Sequence, residues 1–187
     1  SSPTRRWPWP CSTARAARSA PVHGLRSASS VSTLRSRRCA RPRAGTAGAG
    51  RAIFNGQGGN DTLTGGANID NLFGGAGTDT LSGGGGTDAL TGGANNDTLT
   101  GGAARDFFVY SETVASGGFG ADTVTDWQDG VDVLKVFTGV ADAFSDFTVA
   151  NNNTASVKLT LIGAVSNTIT LNGSGPINIS AADFLFF

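Results

Sequence analysis

GQGGNDTLT (56–64), GGANIDNLF (65–73), GGAGTDTLS (74–82), GGGGTDALT (83–91), GGANNDTLT (92–100) and GGAARDFFV (101–109) stand end to end in the chain, six copies of one nine-residue phrase in a single phase. Position one is always glycine: Gly56, Gly65, Gly74, Gly83, Gly92, Gly101. Position six is always aspartate: Asp61, Asp70, Asp79, Asp88, Asp97, Asp106. Position eight is always large and apolar: Leu63, Leu72, Leu81, Leu90, Leu99, Phe108. A fixed period outranks local propensity as a sign of architecture.

Position four reads Gly59, Asn68, Gly77, Gly86, Asn95, Ala104. Glycine and asparagine share a tolerance for the left-handed region, so this position predicts a left-handed turn, with Ala104 marking a distorted last copy. The three residues after each aspartate, such as Thr62-Leu63-Thr64, alternate polar, apolar, polar, which predicts a very short strand with one side chain facing in. One leucine cannot bury itself. Two phrases per coil stack copy i on copy i+2, about 4.8 Å apart, and turn the leucines into ladders.

That stacking also places Asp61 over Asp79, Asp70 over Asp88, Asp79 over Asp97 and Asp88 over Asp106. Two carboxylates about 5 Å apart repel by roughly 3 kcal/mol at an effective dielectric near 20. No lysine occurs between residues 52 and 134, and the only arginine there is Arg105. A cation must supply the missing counter-charge. Its ligands would all be oxygen, which suits Ca²⁺ better than Zn²⁺.

The phrase GGAGTDTLS resembles the nonapeptide of the RTX (repeats-in-toxin) family. The resemblance implies an all-β fold: a right-handed parallel β-roll over 47–109 that binds calcium. It further implies ligands: the aspartates at position six, and backbone carbonyls of turn residues Gly56, Gly58, Gly65, Gly74, Gly83, Gly85 and Gly92. Six copies then hold about four Ca²⁺ ions, one for each stacked pair. Gln57 in the first copy, and Ala104 with Arg105 in the last, predict weaker outer sites. A glycine-rich flexible linker is the plain alternative, but a linker has no reason to hold Asp and Leu in phase.

Before the repeats the texture is different. Eleven arginines and no acidic residue lie in 1–51, whereas all fourteen acidic residues follow, against Arg105, Lys135 and Lys158. The asymmetry argues against one uniform domain. Residues 1–46, rich in Arg, Ser, Ala and Pro, predict a disordered tail. Three readings of it stay open: a segment foreign to this protein's native frame, a plain linker, or a targeting or nucleic-acid-binding stretch. The chain has no methionine, which fits a fragment or a processed product. Cys11, Cys39 and His23 all lie in this tail, so neither a disulfide framework nor a nucleophile–histidine pair is expected in the folded part. Residues 47–55 fit the register as a degenerate opening coil, with Ala52 where the aspartate should be.

After Asp106 the period is lost. DTVTDW (122–127) and VDVLKVF (131–137) alternate around Asp129-Gly130, a hairpin-type signal. Residues 141–146 predict a short helical turn, 151–154 a turn, and FTVA (147–150), SVKLTLI (156–162) and NTITL (167–171) strands. The whole of 110–187 is expected to be a β-rich cap closing the open end of the solenoid. ADTVTDWQDGVDVL also resembles the segment that follows the repeats in serralysin-type proteases, which implies a possible extra calcium site at Asp122 and Asp126, with Asp129 and Asp132 nearby. The closing ADFLFF, with Asp183, Phe184, Leu185, Phe186 and Phe187, looks like the uncleaved signal read by type I ABC-transporter secretion systems. A final edge strand is the competing reading.

The functional expectation is a calcium-binding module of a secreted bacterial protein, monomeric, exported unfolded by a type I transporter and folding on extracellular Ca²⁺. No nucleic-acid partner, membrane span or catalytic constellation is expected. The parent protein could be a secreted protease or lipase whose catalytic domain lies elsewhere. A structural or adhesive solenoid is the other class, since Thr62, Thr64, Thr80, Thr91, Thr98 and Thr100 face outward.

Overall fold

The computed structural model describes residues 32–34, 44–47, 50–111, 118–138, 140–141, 143–164 and 166–187. Its strands are β1 (Ser32–Leu34), β2 (Ala44–Thr46), β3 (Ala52–Gly58), β4 (Thr62–Thr64), β5 (Asn71–Ala76), β6 (Thr80–Gly85), β7 (Ala89–Ala94) and β8 (Thr98–Ala103). They continue with β9 (Phe107–Tyr110), β10 (Ala121–Val124), β11 (Val133–Val136), β12 (Phe147–Ala150), β13 (Thr154–Leu161), β14 (Thr168–Ile177) and β15 (Phe184–Phe186). From β1 to β12 successive strands alternate between two sheets. One is seven-stranded, in the order β1-β3-β5-β7-β9-β11-β15; the other is eight-stranded, in the order β12-β13-β14-β10-β8-β6-β4-β2.

This is a parallel β-roll with two phrases per coil. Leu63, Leu81 and Leu99 pair in register across β4, β6 and β8, and Leu72, Leu90 and Phe108 across β5, β7 and β9. Every one of these side chains is fully buried. The strands of the later copies are six residues long rather than the three expected, because the first three residues of the next phrase, two glycines and an alanine or glycine, remain in the ladder. With Cβ groups absent at the first two, the coils can stack closely enough for the backbone to keep pairing.

Turn chemistry follows the period with one exception. Gly59, Gly77, Gly86, Asn95 and Ala104 all have positive φ at position four; Asn68 does not. Ala104 (φ 82°) therefore adopts the same left-handed turn as its counterparts, and the distorted copy is the second, not the sixth. Position two is left-handed as well, at Gln57, Gly75, Gly84, Gly93 and Gly102.

Two further expectations change. First, the roll does not stop at residue 109. Strand β10 pairs parallel with β8, and β11 pairs parallel with β9. Strands β14 and β15 then pair parallel with β10 and β11. The apolar files run on through Val124 and Leu171 on one sheet and through Leu134 and Phe184 on the other. The Asp129-Gly130 turn thus carries the chain from one sheet to the other and makes no hairpin. The antiparallel part is confined to β12, β13 and β14, joined at the expected turn. The short helical turn is a 3-10 turn at Phe144–Asp146.

Second, part of the predicted tail belongs to the sheets. Strand β1 pairs parallel with β3, and β2 with β4. The rest of the tail, with Cys11, Cys39 and His23, lies outside the described residues. Strand β3, in the expected opening coil, pairs Phe54 with Leu72, and β1 and β2 lie one step further out in the two sheets. Among the described residues no helix is long and apolar enough to cross a membrane.

Candidate functional site

Five of the six position-six aspartates, Asp70 to Asp106, are held in the same way, each by a backbone N–H of the coil before. Oδ1 of Asp79 accepts the backbone N–H of Asp61 at 2.6 Å, Asp88 that of Asp70 at 2.8 Å, Asp97 that of Asp79 at 2.8 Å, and Asp106 that of Asp88 at 2.9 Å. Asp70 accepts from Ala52, which stands in the aspartate position of the opening coil. The carbonyl of each aspartate in turn accepts from the residue that follows the next aspartate of its file, as Asp61 does from Thr80 at 2.8 Å. The result is two files of carboxylates, one inside each sheet edge, all of them buried.

The second oxygen decides the chemistry. Oδ2 of Asp79, Asp88, Asp97, Asp106 and Asp122 is buried with no hydrogen-bond partner. Each repeat carboxylate lies over the first glycine of its own phrase: Asp61 over Gly56, Asp70 over Gly65, Asp79 over Gly74, Asp88 over Gly83, Asp97 over Gly92 and Asp106 over Gly101. A Cβ on Gly56 would also come within 2.5 Å of the Gly74 carbonyl, one on Gly74 within 2.5 Å of Gly92, and one on Gly83 within 2.6 Å of Gly101. The space that glycine leaves open is therefore lined by a carboxylate oxygen and a carbonyl oxygen from the next coil. Gly58 and Gly85 sit differently, at strand ends in register with Ala76 and Ala103.

Buried carboxylates without charge partners hold their protons tightly. Asp79 is raised above its ordinary value, Asp88 to about 6, and Asp97 and Asp106 to about 7. Burial is the largest cause in each case. The backbone N–H bond works against it, and the neighbouring aspartate adds to it. Repulsion between stacked carboxylates is real but second: in the fold, loss of water outweighs it. Among the described residues no three His, Cys, Asp or Glu side chains gather as a cluster. The donor set is thus carboxylate pairs plus peptide carbonyls, which fits a hard, oxygen-coordinated cation.

Two of the repeat-like carboxylates need no ion. Asp70 uses both oxygens on peptide N–H groups, of Ala52 and of Gly66 at 2.6 Å. Its copy is the one whose turn lacks the left-handed position four. Asp132 likewise accepts from Asp106 at 3.0 Å and from Gln128 at 2.8 Å.

The four aspartates expected to share one extra site do not meet. Asp122 lies in the file of Asp97, accepting its N–H at 2.9 Å, whereas Asp132 lies in the file of Asp106. Asp126 takes the N–H groups of Gly101 at 2.9 Å and Gly102 at 2.7 Å, and Asp129 is an exposed turn residue. The register shows what the sequence argument missed: GGFGADTVT (117–125) is a seventh copy, displaced from the sixth by YSETVAS (110–116). Gly120 has the left-handed position-four conformation (φ 81°) and stacks on Asn95, the position-four residue one coil earlier. Searching for the phrase in all phases, not only the established one, would have found it. WQDGVDVLK (127–135) is an eighth, degenerate copy, with Gly130, Asp132 and Leu134 in the right places.

At the C-terminal end, Asp183 accepts from Ser180 N at 2.8 Å and Ser180 Oγ at 3.1 Å, closing a 3-10 turn at Ala181–Asp183. Phe184 is buried against Phe144, Phe147 and Phe186. Leu185 and Phe187 stay exposed, with Lys135 over the Phe187 ring.

Residues 46–81, 55–90 and 82–111 match the RTX calcium-binding nonapeptide repeat (4 copies). No curated protein matches the chain. In fold it is similar to the AlgE6R3 subunit of the mannuronan C5-epimerase from Azotobacter vinelandii, with a TM-score of 0.50 and 22% identity, over 79% of this chain and 80% of that one. Residues 46–111 are thus RTX calcium-binding repeats folded as a β-roll.

Proposed function

We propose that this RTX-repeat chain is a calcium-dependent folding module of a secreted bacterial protein. The observation that carries the reading is the row of buried Oδ2 atoms, each repeat carboxylate over its own glycine, with a carbonyl of the next coil beside the gaps at Gly56, Gly74 and Gly83. Asp61, Asp79, Asp88, Asp97 and Asp106 supply the carboxylates, and Gly74, Gly92 and Gly101 the carbonyls. Calcium, when bound, supplies the positive charge that the chain's own side chains do not. Because the glycines must be ordered for the oxygens to converge, binding free energy becomes folding free energy.

This coupling suits export by a type I transporter. The chain passes as an open polymer in low calcium and folds outside. The exposed Leu185 on the edge strand β15, and Phe187 just after it, fit a terminal signal that stays accessible after folding. Circular dichroism in chelator and in about 5 mM Ca²⁺, above the weakest range of calcium modules, tests the reading. A calcium-free sample at pH 7.5 with the full strand signal would overturn it.

A second reading concerns the outer face of the eight-stranded sheet. Thr62, Thr80, Thr98, Thr123 and Thr170 stand in register across five strands, and the hydroxyls of Thr100 and Thr125 meet at 2.7 Å. Such a hydroxyl file fits contact with a sugar or ice surface. Glycan-array and ice-affinity measurements on the calcium-loaded chain decide it.

A further inference from the structure

The two sheets of the roll present unlike outer faces. The eight-stranded sheet shows rows of hydroxyls. The seven-stranded sheet shows rings, a leucine and cations, and none of its seven strands holds an Asp or Glu. Lys135 of β11 stands in register with Val109 on one side and Leu185 of β15 on the other. Its Nζ lies 4.5 Å over the Phe187 ring, and that ring meets Phe137 at 5.7 Å. Phe137, Phe187 and Leu185 keep 39%, 45% and 47% of their surface in water. Farther along the same face Arg105 lies 5.5 Å over Phe107, Phe73 is exposed, and Arg51 comes within 3.3 Å of the Asn71 amide. Large apolar side chains gathered in water mark a binding surface. Its charge narrows the occupant. Two copies face to face would set Lys135 and Arg105 against like charges with no carboxylate to answer them. The partner is therefore anionic. A nucleobase needs an open ring face to stack on, and so does a sugar ring. Lys135 and Arg105 already lie over the rings of Phe187 and Phe107. A lipid surface asks for no stacking: it takes apolar side chains at the acyl boundary and cations on apolar stems at the headgroups.

We propose that the outer face of the seven-stranded sheet, led by Phe137, Leu185 and Phe187 with Lys135, docks the folded roll on an anionic lipid surface. The proposal goes beyond the calcium reading of the repeats, which enters because the face exists only once the roll is folded. Docked this way, the hydroxyl face points to water. Residues 52–187 carry fourteen acidic side chains against three cations, an excess that opposes approach to such a surface until ions neutralise the buried files. Calcium thus favours docking twice, by building the face and by removing that repulsion.

Co-sedimentation of the full chain with vesicles of phosphatidylcholine, with and without phosphatidylglycerol, tests the proposal in calcium, with circular dichroism confirming the fold of every variant. The parent is expected to pellet with the mixed vesicles and to stay in solution with phosphatidylcholine alone. Lys135→Gln should weaken the binding by roughly fivefold. Lys158→Gln removes the same charge from the other sheet, where Lys158 stands in register with Thr170, and should change nothing. Leu185→Ser should weaken binding at least as much as Lys135→Gln; if it does not fold, the lysine pair still decides. A folded parent that ignores the mixed vesicles, or equal losses in Lys135→Gln and Lys158→Gln, overturns the proposal and leaves the calcium reading intact. Capture by dextran sulfate without vesicle binding assigns the face to an acidic glycan and rejects the lipid. In chelator an open chain should stay in solution. A chain that keeps its strands there and still pellets supports the face and overturns calcium-dependent folding instead.

Discussion

The backbone N–H of Asp70 donates to Oδ1 of Asp88, eighteen residues later, at 2.8 Å. One oxygen of the carboxylate is thereby spent on joining two coils, and the other is turned inward over Gly83. The same side chain is mortar for the backbone and a charge that the backbone cannot neutralise. This double use explains why a neutral chain of this design should be pH-sensitive when calcium is absent.

The pH response has a definite sign. A carboxyl whose pKa is raised in the fold binds its proton more tightly there than in the open chain, so protonation favours folding. That stabilisation is complete below the open-chain value of 3.8 and is lost as pH rises through about 6 for Asp88, about 7 for Asp97 and Asp106, and about 8 for Asp122. In chelator the strand signal is therefore expected near pH 4 and should fade toward pH 8. Calcium affinity should rise across the same window, because the ligands must lose their protons. A calcium-free strand signal that is flat from pH 4 to 8 contradicts the account.

Asp88→Asn separates the two uses of the carboxylate. The amide oxygen still accepts the Asp70 N–H, but the buried charge is gone. In chelator at pH 7.5 the variant should be more ordered than the parent. In calcium it should bind more weakly, by roughly tenfold or about 1.4 kcal/mol. Titrations followed by circular dichroism give both numbers. A variant that matches the parent in both conditions would mean that the charge does nothing beyond the hydrogen bond.

The period alone made the coil length, the two leucine files and the aspartate files legible, because each follows from a side chain's place in a nine-residue phrase. Tyr110–Ser116 hid the seventh copy, since a seven-residue insertion shifts the phase while the stacking register resumes after it. The Asp129-Gly130 step was misread for a physical reason. A tight turn between two alternating strands looks the same in sequence whether the chain folds back or crosses to the facing sheet. Nor could the sequence show that Asp70 is satisfied by Gly66, which depends on the turn conformation at Asn68.

Leu90 tests the core. It is fully buried between Leu72 and Phe108, in one core with the leucine file of the facing sheet. Leu90→Ala should cost roughly 2–5 kcal/mol in calcium-saturated chemical denaturation. A loss under 1 kcal/mol would mean that the file is loosely packed and that ions alone hold the coils.

Gly83 and Gly85 give a matched pair two residues apart in β6. A Cβ on Gly83 would meet the Asp88 carboxylate and come within 2.6 Å of the Gly101 carbonyl. One on Gly85 would meet nothing closer than the Ala67 Cα at 3.6 Å. Neither glycine has positive φ, so backbone strain does not separate them. Gly83→Ala therefore fills the oxygen-lined gap and should cost roughly 1–3 kcal/mol of overpacking in addition to its effect on calcium affinity. Gly85→Ala should leave affinity unchanged and lose little stability. Isothermal titration of both variants at pH 7.5 makes the comparison. Equal calcium affinity would place the ion away from the first glycine, and with it the carbonyls of Gly74, Gly92 and Gly101 would leave the ligand set.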